Sequence, residues 1–308
     1  MRIRFAALLG LIFSLPVDPA QAAEGASSNY FPGTYGLIMP AVAPSEGSNF
    51  TSMNLFYRAT GSRSVSEGKL NLGIKVRSAV TAGQFIRAWN MPSGGTFVMG
   101  VIAPFAYADY TSTVSLGGGA TRQISGSNSA IGDISIIPAS YYWNSGQFNF
   151  NVYGVIIAPT GQYNINNDVN IGRNYWGLDT VFAMTWFNKA SGTEISVIPG
   201  VMFNSENTAT QYRTGTEFHV EFMVNQFVSE DLAIGLRGYA YKQLSGDSGA
   251  GAILGDFKGS SWGIGPTINY IPKSMGGNFV FGASYVGDVS ATNRMKAGYG
   301  VINLTWVF

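Results

Sequence analysis

The single histidine of the chain alternates with two glutamates along a short apolar segment. Glu217, His219 and Glu221 are separated by large apolar residues, so on a strand all three side chains share one face. Histidine can act as a general base in hydrolysis. A zinc site is a weaker hypothesis, because one histidine and two carboxylates on one strand do not complete a tetrahedral ligand set.

A second segment has the form of a nucleophile motif. Gly246-Asp247-Ser248-Gly249 reads like the serine motif of trypsin-like proteases, whose serine needs a histidine base oriented by an aspartate. His219, the one histidine, precedes the motif closely and nothing else of that pattern is present. We interpret the motif as a glycine-rich turn and predict no catalytic residue, no cofactor and no metal.

The composition limits the class of protein. The chain has 308 residues, of which 46% are hydrophobic and 11% charged, with 40 glycines and no cysteine. This apolar content argues against a disordered chain, and the lack of cysteine excludes disulfides and thiolate chemistry. A net charge of +1 offers no basis for binding nucleic acid.

The N-terminus has the pattern of a secretory signal. Arg2 and Arg4 precede an apolar run over 5–15, and Ala20-Gln21-Ala22 supplies small residues for cleavage. The run is too short to span a bilayer as a helix. We predict that residues 1–22 are removed after Ala22.

Beyond this signal the chain alternates apolar with polar or small residues, which predicts strands. Twelve are predicted, near 51–60, 82–91, 96–108, 132–143, 147–158, 175–187, 193–205, 215–228, 231–243, 259–271, 277–287 and 298–308. Their lengths suit tilted strands that cross a bilayer, and every second connection is long. The predicted fold is all-β: a transmembrane antiparallel β-barrel of the bacterial outer membrane, with 51–308 as the barrel.

Aromatic residues fall near the predicted strand ends. Six tryptophans and the terminal phenylalanine are expected to anchor the barrel at the membrane interface: Trp89, Trp143, Trp176, Trp186, Trp262, Trp306 and Phe308. We expect outer-membrane lipid and lipopolysaccharide as surface partners. Phe308 also resembles the terminal signature that the barrel assembly machinery reads.

If the apolar strand faces meet lipid, the opposite faces line the lumen, meaning the barrel interior. Six residues are then predicted to line it: Glu217, His219, Glu221, Arg237, Tyr239 and Tyr241. Three roles stay open: a structural ion-pair network, a substrate-lining surface, and a hydrolytic site that uses His219.

Residues 23–50 precede the first predicted strand and lack strand periodicity. Tyr30-Phe31-Pro32-Gly33 and the prolines of 40–44 suit a segment folded back into the lumen, and a periplasmic tail is the alternative. If the segment occludes the lumen, deleting Ala26–Ser48 is expected to raise conductance.

An ordered set of motifs resembles a known family. The motifs are Gly132-Asp133, Pro159-Thr160-Gly161-Gln162-Tyr163, Asn174-Tyr175-Trp176, Tyr212-Arg213-Thr214-Gly215 leading to Phe218, Gly238-Tyr239-Ala240-Tyr241, Gly246-Asp247-Ser248-Gly249-Ala250-Gly251 and Gly263-Ile264-Gly265-Pro266. Over about residues 30–308 the chain is similar to the outer-membrane family labelled "putative meta-pathway of phenol degradation". The resemblance implies a transporter-like barrel that admits small hydrophobic or aromatic compounds.

We therefore expect a monomeric channel for passive uptake of small hydrophobic solutes. Two alternatives remain. One is a barrel hydrolase that uses His219, and the other is a structural or adhesive barrel whose 21- and 23-residue outer loops bind a surface partner.

Overall fold

The computed structural model describes residues 24, 28–36, 38–65, 70–116, 121–253 and 258–308. The predicted signal peptide, residues 1–22, lies outside this part. The strands are β1 (Gly47–Val65), β2 (Leu70–Asn90), β3 (Thr96–Leu116), β4 (Thr121–Ile131), β5 (Ile134–Ser145), β6 (Phe148–Ala158), β7 (Gly177–Asn188), β8 (Thr193–Asn204), β9 (Glu217–Phe227), β10 (Leu232–Gln243), β11 (Ser260–Tyr270), β12 (Phe279–Thr292) and β13 (Lys296–Val307). A short 3-10 helix, Lys273–Met275, lies between β11 and β12. Among the described residues, none of the helices has the length and apolar character that a membrane crossing requires.

The strands close into a single antiparallel barrel. β4 and β5 pair with successive parts of β3, so together they fill one position, and the ring has twelve positions. β1 pairs with β13 from Asn49↔Val307 to Thr60↔Lys296. Phe308 and Ser48 then exchange both backbone hydrogen bonds at 2.9 and 3.0 Å. The predicted twelve-stranded transmembrane barrel is confirmed.

The two faces of the wall differ as hydrocarbon outside requires. On β13, Ile302, Leu304 and Trp306 are exposed outward, whereas Val301 and Asn303 are buried inward. The tryptophans lie near strand ends, four beside the turns at the end that holds Gly47 and Phe308 and two at the other end. We assign the first end to the periplasm, because short turns lie there. The role of these residues as membrane anchors stays a prediction.

The prediction for the outer connections of β1–β4 was wrong. The expected 21- and 23-residue loops are largely strand, because β2 and β3 each run for 21 residues, or about 70 Å at ~3.3 Å per residue. The apolar band of such barrels is only about 25 Å tall. Above the membrane both strand faces can be polar, so the alternation that marks a crossing strand fades there. If the protein is an adhesin, its partner would therefore bind the tall hairpins of β1–β4 and not long loops.

The prediction that long outer connections regularly alternate with short inner ones was also wrong. Besides the two outer hairpins, the last outer connection covers only 293–295, whereas the inner connection 271–278 is longer. The first strand begins at Gly47 rather than at residue 51, because Gly47 and Ser48 already pair with Ala88 and Arg87 of β2.

The predicted strand 132–143 does not open at Gly132, which lies with Asp133 at the junction of β4 and β5. The Asp133 carboxylate accepts hydrogen bonds from the backbone N–H of Gly161 at 2.8 Å and of Arg173 at 2.7 Å. A Cβ on Gly161 would lie 2.7 Å from Gly132 and Gly172 backbone atoms. Only glycine permits the backbone at 161 to lie this close to Gly132 and Gly172. This close contact and the Asp133 hydrogen bonds hold the outer loop 159–176 against the wall.

Candidate functional site

A segment ahead of β1 runs through the barrel. We call residues 28–36 and 38–46 the inner segment. Its side chains Tyr30 and Ala41 are 1% and 0% exposed, although they belong to no strand. Glu24, just before it, accepts hydrogen bonds from Asn207 and Thr210 in an outer loop. Gly47 follows it at the periplasmic end, so the inner segment extends along the height of the lumen.

A buried ion pair holds the middle of the inner segment. Arg237 Nη2 lies 2.7 Å from Glu221 Oε2, and both side chains are 0% exposed. Glu221 Oε1 accepts the backbone N–H of Gly33 at 2.8 Å, while Arg237 Nη2 donates to the Gly36 carbonyl at 2.9 Å. The pair therefore binds the inner segment through both of its charges. Such charge-assisted hydrogen bonds are stronger than neutral ones.

His219 is enclosed by the same segment. Its Nε2 lies 3.0 Å from Asp179 Oδ2, which also accepts a 2.6 Å hydrogen bond from the Tyr35 hydroxyl. The Tyr30 ring stacks on the imidazole with centroids 4.3 Å apart, and the Tyr35 centroid lies at 4.8 Å. A Cβ on Gly200 would be 2.4 Å from the imidazole, so this position on β8 accommodates the ring only as glycine.

The periplasmic half of the inner segment is held by groups that our sequence analysis missed. Glu194 of β8 accepts the Met39 backbone N–H at 2.7 Å, and Thr185 of β7 accepts that of Ala41 at 3.3 Å. Asp179, described above, was also missed. An acidic residue inside a strand of a chain with so few charges is the signal that could have identified Asp179 and Glu194.

The structure places all six residues predicted to line the lumen on the inner faces of β9 and β10. Their exposures are 0% for Glu217, His219, Glu221 and Arg237, 1% for Tyr239 and 3% for Tyr241. Tyr241 donates to Glu217 at 2.5 Å, and Tyr239 donates to Asp288 of β12. The Tyr30 ring connects the His219 cluster with the Tyr241–Glu217 pair, since it stacks on His219 and also lies parallel to Tyr241 with centroids 6.0 Å apart.

This arrangement gives His219 little scope for catalysis. A general base must reach a substrate proton directly or through one water, yet the His219 ring is closed in by Tyr30, Tyr35 and Asp179. Its Nδ1 is buried and has no hydrogen-bond partner within the described ranges. In the same part of the chain, no three histidine or acidic side chains are placed to hold a metal ion.

The segment Gly246–Gly249 lies in an outer loop, and a turn closed by the Ala252 N–H and the Gly249 carbonyl follows it. Asp247 accepts hydrogen bonds from the Tyr212 hydroxyl at 2.5 Å and the Gly215 backbone at 3.0 Å. Burial and the Asp247 carboxylate raise the pKa of the Tyr212 phenol, which therefore stays protonated and donates. Ser248 pairs with Arg213 through the backbone, and Gly249 has a φ of +95°.

The comparisons with known proteins concern both family and fold. The family described as "Putative MetA-pathway of phenol degradation" matches residues 56–304. An outer-membrane channel from Pseudomonas putida F1 has a TM-score of 0.69 at 15% identity, over 91% of this chain and 100% of that chain. That likeness concerns the fold.

Other barrels are less similar. The translocator domain of the autotransporter NalP from Neisseria meningitidis has a TM-score of 0.44 at 11% identity, over 87% of this chain and 91% of that one. The β domain of the Bordetella autotransporter BrkA has a TM-score of 0.46 at 11% identity, over 85% of this chain and 100% of that one. No curated protein sequence matches this chain.

The ion pair yields a prediction about the inner segment. Glu221→Gln leaves Arg237 buried without a counter-charge, and breaking a buried pair in this way costs roughly 3–5 kcal/mol. We expect the inner segment to leave the lumen more often. Because the chain has no cysteine, Ser28→Cys supplies one reporter at a position only 2% exposed. Maleimide labelling of the introduced thiol should then accelerate at least about tenfold.

The matched control for that comparison is Glu230→Gln in the same reporter chain. Glu230 pairs with Lys273 at the periplasmic surface, where its side chain is 81% exposed. Exposed pairs contribute little, so labelling should be unchanged. Equal labelling rates in the Glu221→Gln and Glu230→Gln chains would show that the ion pair does not retain the inner segment.

Proposed function

We propose, from the premise that this chain belongs to the family described as "Putative MetA-pathway of phenol degradation", that it is a gated outer-membrane channel for small apolar or aromatic molecules. The observation that carries the proposal is an inner segment held in the lumen by separate polar contacts. A closed barrel whose interior holds a displaceable segment can open a path without unpairing its strands. Passage requires neither covalent chemistry nor a cofactor.

Aromatic rings near the lumen support the proposed solute class. The Tyr239 ring lies 6.2 Å from Tyr30 and 5.9 Å from Tyr299, and Tyr299 lies 5.3 Å from Tyr57, all between centroids. Ring faces and edges attract other aromatic molecules by roughly 0.5–1.5 kcal/mol per contact beyond the burial of apolar area. Weak contacts in series suit conduction, which needs binding that is also readily released.

Burial of the lumen residues supports the proposed gate. Because Glu221, His219 and Arg237 are fully buried beneath the inner segment, a solute cannot pass that level until the segment moves. Hydrogen bonds to Glu221, Arg237 and other wall residues hold the inner segment, together with apolar packing of Tyr30 and Ala41 against the wall. The hydrogen bonds can be exchanged for water when the segment leaves, so opening exposes polar groups that water can satisfy.

The C-terminal boundary of the deletion must leave the contacts of the barrel wall intact. Ser48 pairs with Phe308, and the Glu46 carboxylate accepts from Asn90 at 3.2 Å. We therefore remove Ala26–Ser45 instead of continuing to Ser48. The shortened chain should show higher single-channel conductance in planar bilayers, because the lumen loses its occupant. Lys189→Ala, in an exposed periplasmic turn, is the control expected to conduct like the full chain. Unchanged conductance of the shortened chain would contradict the gate.

The solute class is tested in cells of the native host. Initial uptake of a labelled aromatic hydrocarbon at low external concentration should fall when the gene is removed, while uptake of a labelled sugar should not. Re-expression of the full chain should restore the aromatic rate. Loss of both rates would indicate a general pore, and loss of neither would contradict the channel.

A further inference from the structure

A second site lies at the outer rim of the barrel. Pairing of β1 with β13 ends at Thr60↔Lys296, but β1 continues to Val65. Beyond Thr60 this edge of β1 has no strand partner among the described residues. A cavity of about 530 Å³ opens there, and its walls include Thr60, Lys75, Thr113, Arg294 and Lys296.

The register places four cations together beside this cavity. Lys296 lies opposite Thr60, and Thr60 lies opposite Lys75 on the next strand. Two residues closer to the periplasm on β1, Arg58 lies directly opposite Arg77. All four basic side chains are exposed on the outer face of the wall. Like charges that face each other across strands are destabilising unless an anion compensates them.

The protein itself provides little compensation. The Asp109 carboxylate lies 3.0 Å from Arg77 and is the acidic partner in this cluster. Among the described residues, Arg58, Lys75 and Lys296 have neither an ion pair nor a side-chain hydrogen bond. Arg294 turns away from these three side chains, because its guanidinium stacks over the lumen-facing Tyr241 ring at 3.8 Å.

The level of the cluster in the wall indicates where its anion comes from. Phe56 occupies the outward position on β1 next below Arg58 and is 51% exposed, and Tyr107 and Ile302 are exposed near it. Below the cations the wall therefore meets hydrocarbon. Such a change from apolar to basic side chains along the wall indicates the headgroup level of the outer leaflet. Guanidinium and ammonium groups bind phosphate strongly, arginine in a bidentate manner.

We propose that this rim cavity binds a phosphoryl group of an outer-leaflet glycolipid. Lys75 and Lys296 contact the phosphate, Thr60 and Thr113 offer hydroxyl donors, and the acyl chains lie along Phe56 and Ile302. A free phosphate ion has the same charged group but cannot use the apolar surface below. The site does not depend on transport, and it would anchor the tall hairpins of β1–β4 to the surrounding lipid.

The test compares lipid A that carries its phosphates with fully dephosphorylated lipid A. Each is titrated into the full mature chain in nanodiscs of zwitterionic phospholipid. The double variant Lys75→Gln/Lys296→Gln should bind phosphorylated lipid A roughly 30-fold more weakly, because each cation near a lipid surface contributes about a fivefold factor. Dephosphorylated lipid A should bind both chains weakly and equally.

The control is Lys189→Gln/Lys242→Gln, which removes two exposed cations that do not line the cavity. It should bind phosphorylated lipid A like the unchanged chain, and slower gel migration after boiling should verify that every variant folds. An equal loss of affinity in both double variants would show that only the net charge matters, and would overturn the proposed site. If millimolar inorganic phosphate competes for the site as effectively as lipid A does, the bound phosphoryl group does not have to come from a glycolipid, and the proposal is overturned.

Discussion

The structure depends on one constraint: hydrocarbon offers no hydrogen-bond partner to a backbone N–H or C=O group. Each unpaired group would cost several kcal/mol, so the sheet has to close. Closure is completed where β1 meets β13 and where Phe308 pairs with Ser48. A closed wall in turn divides every strand into a lipid-facing row and a lumen-facing row. The charges of this sparsely charged chain therefore lie inside the barrel, in the outer loops and rim, and in the periplasmic turns.

Charges inside a narrow barrel need partners, and the inner segment provides many of them. Glu194, Glu221 and Arg237 each bind a backbone group of the inner segment, and Asp179 binds the Tyr35 hydroxyl. Removal of the segment would leave these groups to water. In the proposed gate these polar contacts are exchanged for water when the segment leaves, whereas the apolar packing of Tyr30 and Ala41 opposes its departure.

The crossing parts of the strands could be predicted because lipid imposes alternation on them. Ile302, Leu304 and Trp306 face lipid as the pattern indicated, and the alternation of Glu217, His219 and Glu221 placed them on the inner face. The tall parts of β1–β4 could not be predicted, since no apolar environment shapes them. Asp179 and Glu194 were missed for another reason: their importance lies in contacts with a segment far away in the sequence.

The most direct measurement locks the inner segment in place. Asn29 Nδ2 is buried without a hydrogen-bond partner in the described structure, and it lies 3.0 Å from where a Cβ on Gly177 would be. Asn29→Cys/Gly177→Cys should therefore form a disulfide in a chain that has no other cysteine. Uptake of a labelled aromatic hydrocarbon by cells that express the oxidised variant is compared with uptake after reduction. If the inner segment is the gate, uptake should be low in the oxidised variant and recover on reduction, and equal rates in the two states would contradict the gate.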